Sequence, residues 1–254
     1  MKSRAWCCLL FMMLLSSNLL ALDTESADDK SVLNPQVIDK LIDLGDHLRS
    51  LPRFQVNAEV DRDVVLDDGQ KLKMHATNTL LVEGRGRMFA RSEGDVLTRE
   101  FYYNGRKLTQ YSPYLKFYTT VDAPNNLVDT LHQLEEHYGV QVPMEDLFLF
   151  GRDQAQIDAL KSAAYVGPST VNGKLCDHLA FRQEHVDWQL WVTREVKPLP
   201  CKLVITTTDD PSFPEYTATY RWNLSPVINQ SAFTFSPAKG DVSIPLKKVS
   251  EGAK

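Results

Sequence analysis

The chain has 254 residues, 43% hydrophobic and 24% charged, with 9% aromatic side chains. That is ordinary globular composition with enough apolar material for a sizeable core, and it excludes a disordered or collagen-like chain. A formal net charge of -5 gives no long-range field for a polyanion, so nucleic acid is not expected as a partner.

Lys2 and Arg4 precede an apolar run from Ala5 to Leu15, then Ser16-Ser17-Asn18 and Leu19-Leu20-Ala21. This is the layout of a secretory signal peptide over residues 1–21; the competing reading, a membrane anchor, reaches spanning length only by including Ser16, Ser17 and Asn18. No integral span is expected after its removal. Cleavage takes two basic residues and no acidic one, leaving a more acidic chain. It also leaves Cys176 and Cys201 as a single pair in an exported protein, where an oxidising compartment permits a disulfide. Both begin strands two apart in the expected order, about 10 Å from each other, so a bridge needs a distorted strand start. Two separate buried thiols are the alternative.

Residues 22–33 read as a flexible polar segment. Asn34-Pro35 is an N-cap with proline at the first helical position, and Val37, Ile38, Leu41, Ile42, Leu44, Leu48 and Leu51 then follow a helical period. Phe54, Val56, Ala58 and Val60 alternate with polar residues, which makes a half-buried strand. Further strands are expected at 71–82, 87–92, 97–103, 107–111 and 116–120. They are separated by Asp67-Asp68-Gly69, Gly84-Arg85-Gly86, Glu93-Gly94-Asp95, Asn104-Gly105 and Ser112-Pro113, turn signals at the short spacing of an antiparallel meander.

At Pro124 the pattern becomes helical. Asn126 opens a helix carrying Leu127, Leu131, Leu134 and Tyr138 on one face, and Gly139 closes it. Shorter helical pieces are expected at 143–150 and 153–161. Strands resume at 165–169, 175–182, 188–193, 202–208 and 216–224. No linker divides the chain, so residues 34–240 read as one domain of about eleven strands with a helical insertion, followed by a tail from 241 to 254.

No pattern for catalysis, metal or cofactor emerges. His132 and His137 are five apart on a helix and diverge, whereas ligand pairs sit three or four apart. His178 and His185, beside Asp177 and Asp187, lack further ligand spacing. Glu135-Glu136 and Asp67-Asp68 are adjacent carboxylates that point apart. Gly84-Arg85-Gly86 has neither the third glycine nor the helix of a nucleotide loop. A non-enzymatic protein is expected.

Phe101, Tyr102 and Tyr103 are consecutive, as are Phe117 and Tyr118, while Trp188 and Trp191 fall on opposite faces of one strand. Both sheet faces therefore carry apolar bulk. This fits an ordinary core with helices on one side, and equally a curved sheet with an apolar cavity beneath them.

The blocks Asp68-Gly69-Gln70, Phe101-Tyr102-Tyr103-Asn104-Gly105, Lys116-Phe117-Tyr118, Tyr138-Gly139-Val140 with Pro143, His178-Leu179-Ala180-Phe181, Val186-Asp187-Trp188-Gln189-Leu190-Trp191 and Pro198-Leu199-Pro200 resemble a family of bacterial predicted periplasmic proteins of unknown function. That family is similar to the superfamily of the lipoprotein carrier LolA and receptor LolB. The resemblance implies an α+β fold, a half-open antiparallel barrel with helices over its concave face, in the Gram-negative periplasm. It also implies a lipid, acyl chain or other hydrophobic small molecule as partner, or another envelope protein recognised by a stress-sensing module with a packed interior. On that reading Leu127, Leu131 and Leu134 with Tyr138 form a lid, and Phe101, Tyr103, Trp188 and Trp191 line the concave face.

Overall fold

The computed structural model describes residues 33–84 and 86–249. The expected signal segment, all of the 22–33 stretch but its last residue, Arg85 and the residues after 249 lie outside these.

The helix expected after Asn34 is α1 (Pro35–Ser50), and Asn34 Oδ1 accepts from the Gln36 backbone N–H at 3.0 Å. Its apolar face, Val37, Leu41, Leu44 and Leu48, is buried. A first meander follows: β1 (Arg53–Val65), β2 (Lys71–Glu83), β3 (Arg87–Gly94), β4 (Thr98–Tyr103), β5 (Lys107–Ser112) and β6 (Phe117–Asp122). The helical middle holds α2 (Leu127–Tyr138), a 3₁₀ turn Glu145–Phe148 and α3 (Gln154–Asp158). A second meander comprises β7 (Ser162–Val171), β8 (Lys174–Arg182), β9 (Val186–Thr193), β10 (Pro200–Thr207) and β11 (Glu215–Asn223).

Eleven strands match the expected count, and a two-residue β12 (Val242–Ser243) is added. It pairs in parallel with Phe117 and Tyr118, so the stretch read as a C-terminal tail contributes a strand. The spatial order is β12-β6-β5-β4-β3-β2-β1-β11-β10-β9-β8-β7 in one unclosed sheet, antiparallel except at β12. The two meanders join where β1 pairs with β11, Val56 opposite Trp222 and Ala58 opposite Tyr220.

This order explains why one face is covered. The chain leaves β6 near one edge and re-enters at β7 on the other, so the segment between must cross the whole sheet. Its apolar side chains have to bury against a sheet face as it does so. The covered face carries Phe54, Val56, Leu80, Val82, Met88, Ala90, Phe101, Tyr103, Leu179, Leu190, Leu203 and Ala218, all at most 3% exposed. The opposite face of β4–β6 is covered too. Phe235 lies among the rings of Tyr102, Tyr111 and Tyr118, with centroids 4.9 to 5.5 Å away. The consecutive aromatics 101–103 therefore serve both faces.

Cys176 of β8 and Cys201 of β10 are bonded, with Cα atoms 7.2 Å apart. The bridge passes over the end of β9, and the β9–β10 register shifts between Pro200 and Lys202, at Cys201 itself. The distorted strand start that a bridge requires is this bulge. It brings the pair well inside the two-strand spacing.

Candidate functional site

The segment after α2 crosses from β1, where Phe148 lies 6.4 Å from the Phe54 ring, to β9 and β10, where Phe150 lies 6.2 Å from Trp188. At Gly139 the chain leaves α2 in the left-handed conformation, φ 62°, and Val142, Met144 and Leu147 bury their side chains. Phe150 and Gly151 then press against α1 backbone to backbone. A Cβ on Gly45 would stand 1.8 Å from the Phe150 carbonyl oxygen, and one on Gly151 2.8 Å from the Ile42 Cα. Arg49 secures the contact, its Nη1 donating to the Phe150 carbonyl at 2.8 Å and Nη2 to that of Gly151 at 3.2 Å.

Beneath this wall is a cavity of about 280 Å³. Leu41 of α1 and Leu149, Phe150 and Leu160 of the crossing segment form its roof, and Val186, Trp188, Leu203 and Ile205 of β9 and β10 its floor. The Trp188 ring stacks on Phe181 at 3.9 Å and lies 6.2 Å from Phe150. Polar groups are few: Asp146, Gln156 and Gln183. The lining is that of a small-molecule pocket, apolar with a handful of polar groups, and the volume falls just below the roughly 300 to 1,000 Å³ range of such sites.

The acidic pair Glu145-Asp146 gives the site its electrostatic character. Burial pushes the Glu145 carboxyl up to about 7, against the pull of the Val142 backbone N–H that donates to it at 3.1 Å. Burial likewise raises Asp146, with the Glu135 charge adding to the effect. Tyr216 and Tyr220 of β11 are raised by burial first, and Asp146 adds to both. The Tyr220 hydroxyl is buried without a hydrogen-bond partner.

Of the residues expected to line the concave face, Trp188 alone borders this cavity. Leu127, Leu131 and Leu134 are at most 4% exposed, and Tyr138 packs partly buried against the same core. Beside α2, Tyr103 donates its hydroxyl to the Pro124 carbonyl at 2.6 Å and Phe101 is fully buried. These six residues are core of the β4 half of the sheet and do not reach the cavity. The cover of this cavity comes from α1 and residues 146–160.

Trp191 departs from the expected concave face. It stacks on His178 at 4.0 Å and lies under Lys202 Nζ at 4.9 Å, on the face opposite Trp188. An odd separation along a strand reverses the side. Among the described residues no group of three His, Cys, Asp or Glu could hold a metal ion. Sequence reasoning missed Asp146, Phe150 and Leu160. The available signal was an acidic pair set inside the apolar run from Val140 to Phe150.

The chain belongs to the family described as predicted periplasmic protein (DUF2092), whose model matches residues 38–247. No curated protein matches it. Among solved structures it is similar to an uncharacterized conserved protein from Thermus thermophilus, at 10% identity and TM-score 0.44, over 83% of this chain and 98% of that one. It is also similar to LprF from Mycobacterium bovis, at 12% identity and TM-score 0.45, over 77% and 96%. A third is the lipoprotein LppX from Mycobacterium tuberculosis, at 9% identity and TM-score 0.39, over 77% and 98%. The family places the chain in the periplasm, and among the described residues no helix is long and apolar enough to cross a membrane.

Proposed function

We propose that this periplasmic chain is a non-enzymatic carrier or receptor for a hydrophobic ligand, a lipid or acyl chain held between β9–β10 and the cover formed by α1 and residues 146–160. The observation that carries the reading is the apolar cavity itself, with Trp188, Phe150, Leu160 and Ile205 around it. Cores are packed close to crystal density and leave few voids larger than a water molecule. An apolar cleft of this size, open to solvent on one side, is a place where an alkyl chain can exchange water for apolar contact. Its volume suits a single short chain and excludes a bundle of several.

Native mass spectrometry of protein purified from its own periplasm tests this, together with titration of a fluorescent fatty acyl probe. Saturable uptake that Ile205→Trp abolishes is expected, since the added ring fills the cavity. Protein that is empty as isolated and takes up no probe would sink the reading.

A second reading, docking to another envelope protein, draws on one feature. Tyr114, Leu115 and Phe117 at the β5–β6 end are 85%, 49% and 42% exposed, more than isolated surface residues require. Crosslinking in intact cells from position 114 checks it, and a stoichiometric protein adduct is the expected outcome.

A further inference from the structure

The polar lining of the cavity is one-sided. Asp146 is its single ionisable lining group, and neither Lys, Arg nor His lines it. Among the described residues its carboxyl forms no ion pair. The charges that act on it are acidic: Glu135 raises it, and it in turn raises Tyr216 and Tyr220 of β11. Arg49, on the α1 side of the wall, already donates to the Phe150 and Gly151 carbonyls and to Asp46. The one ionisable residue lining this largely apolar space therefore has no countercharge beside it in the lining.

We infer that the cavity selects an amphiphile with a cationic head, an alkyl chain ending in an ammonium group that donates to Asp146, over one ending in a carboxylate. Burial raises the Asp146 carboxyl, so a carboxylate head would add a second acid to a space of low dielectric that holds no cation to offset either one. An ammonium supplies the missing countercharge, favours the ionised carboxylate as it binds, and donates a charge-assisted hydrogen bond to it. Trp188 and Phe150, which line the same cavity, add aromatic faces that also favour a cation. The inference rests on the cavity being a hydrophobic-ligand site and specifies the chemistry of its occupant.

The test compares decylammonium, decanol and decanoate, each below its micelle concentration, by calorimetry on the folded full chain at pH 7.5. Decylammonium is expected to bind about tenfold or more tighter than decanoate, with decanol between them. Asp146→Asn should reduce that ratio to within about threefold, while Asp67→Asn, which removes an exposed acid in the β1–β2 turn, should leave it unchanged and so exclude general attraction to an acidic protein. Asp146→Ser serves if the first variant melts early. Equal binding of the three, a preference for decanoate, or a preference that survives at position 146 overturns the cationic-head assignment while leaving a hydrophobic site in place. Failure of all three to bind overturns the functional reading as well.

Discussion

Lys40 Nζ stands 2.7 Å from Asp177 Oδ2 and so ties the middle of α1 to β8, 137 residues further along the chain. The Asp177 side chain is 7% exposed and is reached as well by Arg194 Nε at 3.1 Å and by the Tyr165 hydroxyl at 3.0 Å. Burial alone would raise this carboxyl, and the Lys40 and Tyr165 hydrogen bonds outweigh it and hold it below the usual carboxylate range.

The two sides of that network are unequal. Lys40 and Arg194 are about half exposed and regain water if Asp177 is removed, whereas Asp177 cannot. The double change Lys40→Ala with Arg194→Ala should cost about 3 kcal/mol, and Asp177→Asn about 1 to 2 kcal/mol. Urea unfolding of the three proteins gives the comparison. A larger loss for Asp177→Asn would show that the cations, not the carboxylate, depend on the bridge.

Gly45→Ala tests the seating of α1. In an exposed helix the change gains about 1 kcal/mol. Here the new Cβ meets the Phe150 carbonyl at 1.8 Å, and a backbone atom cannot swing aside. A net loss of about 1 to 3 kcal/mol is expected, with weaker binding of the acyl probe because Phe150 and Gly151 form the cavity wall. A gain in melting temperature would mean that α1 does not sit so close.

Glu145→Gln should stabilise the protein above neutral pH and change little near pH 4. The folded carboxyl titrates at about 7 against an ordinary value of 4.5, so its neutral form is the one the fold prefers. Below 4.5 it is neutral in both states and no penalty exists. The penalty grows as pH rises from 4.5 to 7 and is complete above that, about 3 kcal/mol at full burial and on the order of 2 kcal/mol once solvent screening of this partly exposed carboxyl is allowed for. Thermal melts at pH 4 and pH 8 read it directly, and an equal effect at both would contradict the assignment.

Replacing Cys176 and Cys201 by serine opens a loop closed across 25 residues. The expected loss is about 3 kcal/mol from the greater freedom of the unfolded chain. Wild-type protein should show the same drop in urea midpoint after reduction, and the serine variant none.

Leu131→Glu separates core from lid. Leu131 is 4% exposed within the core and away from the cavity, so a carboxylate there should destabilise the whole domain rather than selectively abolish uptake. Leu131→Ala should cost about 2 to 5 kcal/mol and leave probe affinity within about twofold at temperatures where the variant is folded. Selective loss of uptake with an unchanged melting curve would restore α2 as the lid.

The helix starts at Asn34 and Asn126, the stop at Gly139 and the eleven long strands were legible because each is written within a few neighbouring residues. A side-chain cap, a glycine able to take positive φ and a period of 2.0 or 3.6 need no partner elsewhere in the chain. The cavity was not legible in this way. Its walls come from residues 41, 146–160 and 183–205, which only the edge-to-edge crossing from β6 to β7 brings together. The sheet order likewise decides that α2 fills the β4 half while the segment after it leaves a space over β9 and β10. Trp188 and Trp191 show the division most simply: their opposite orientation follows from strand geometry alone, but which face is covered follows from where the helical segment is forced to cross.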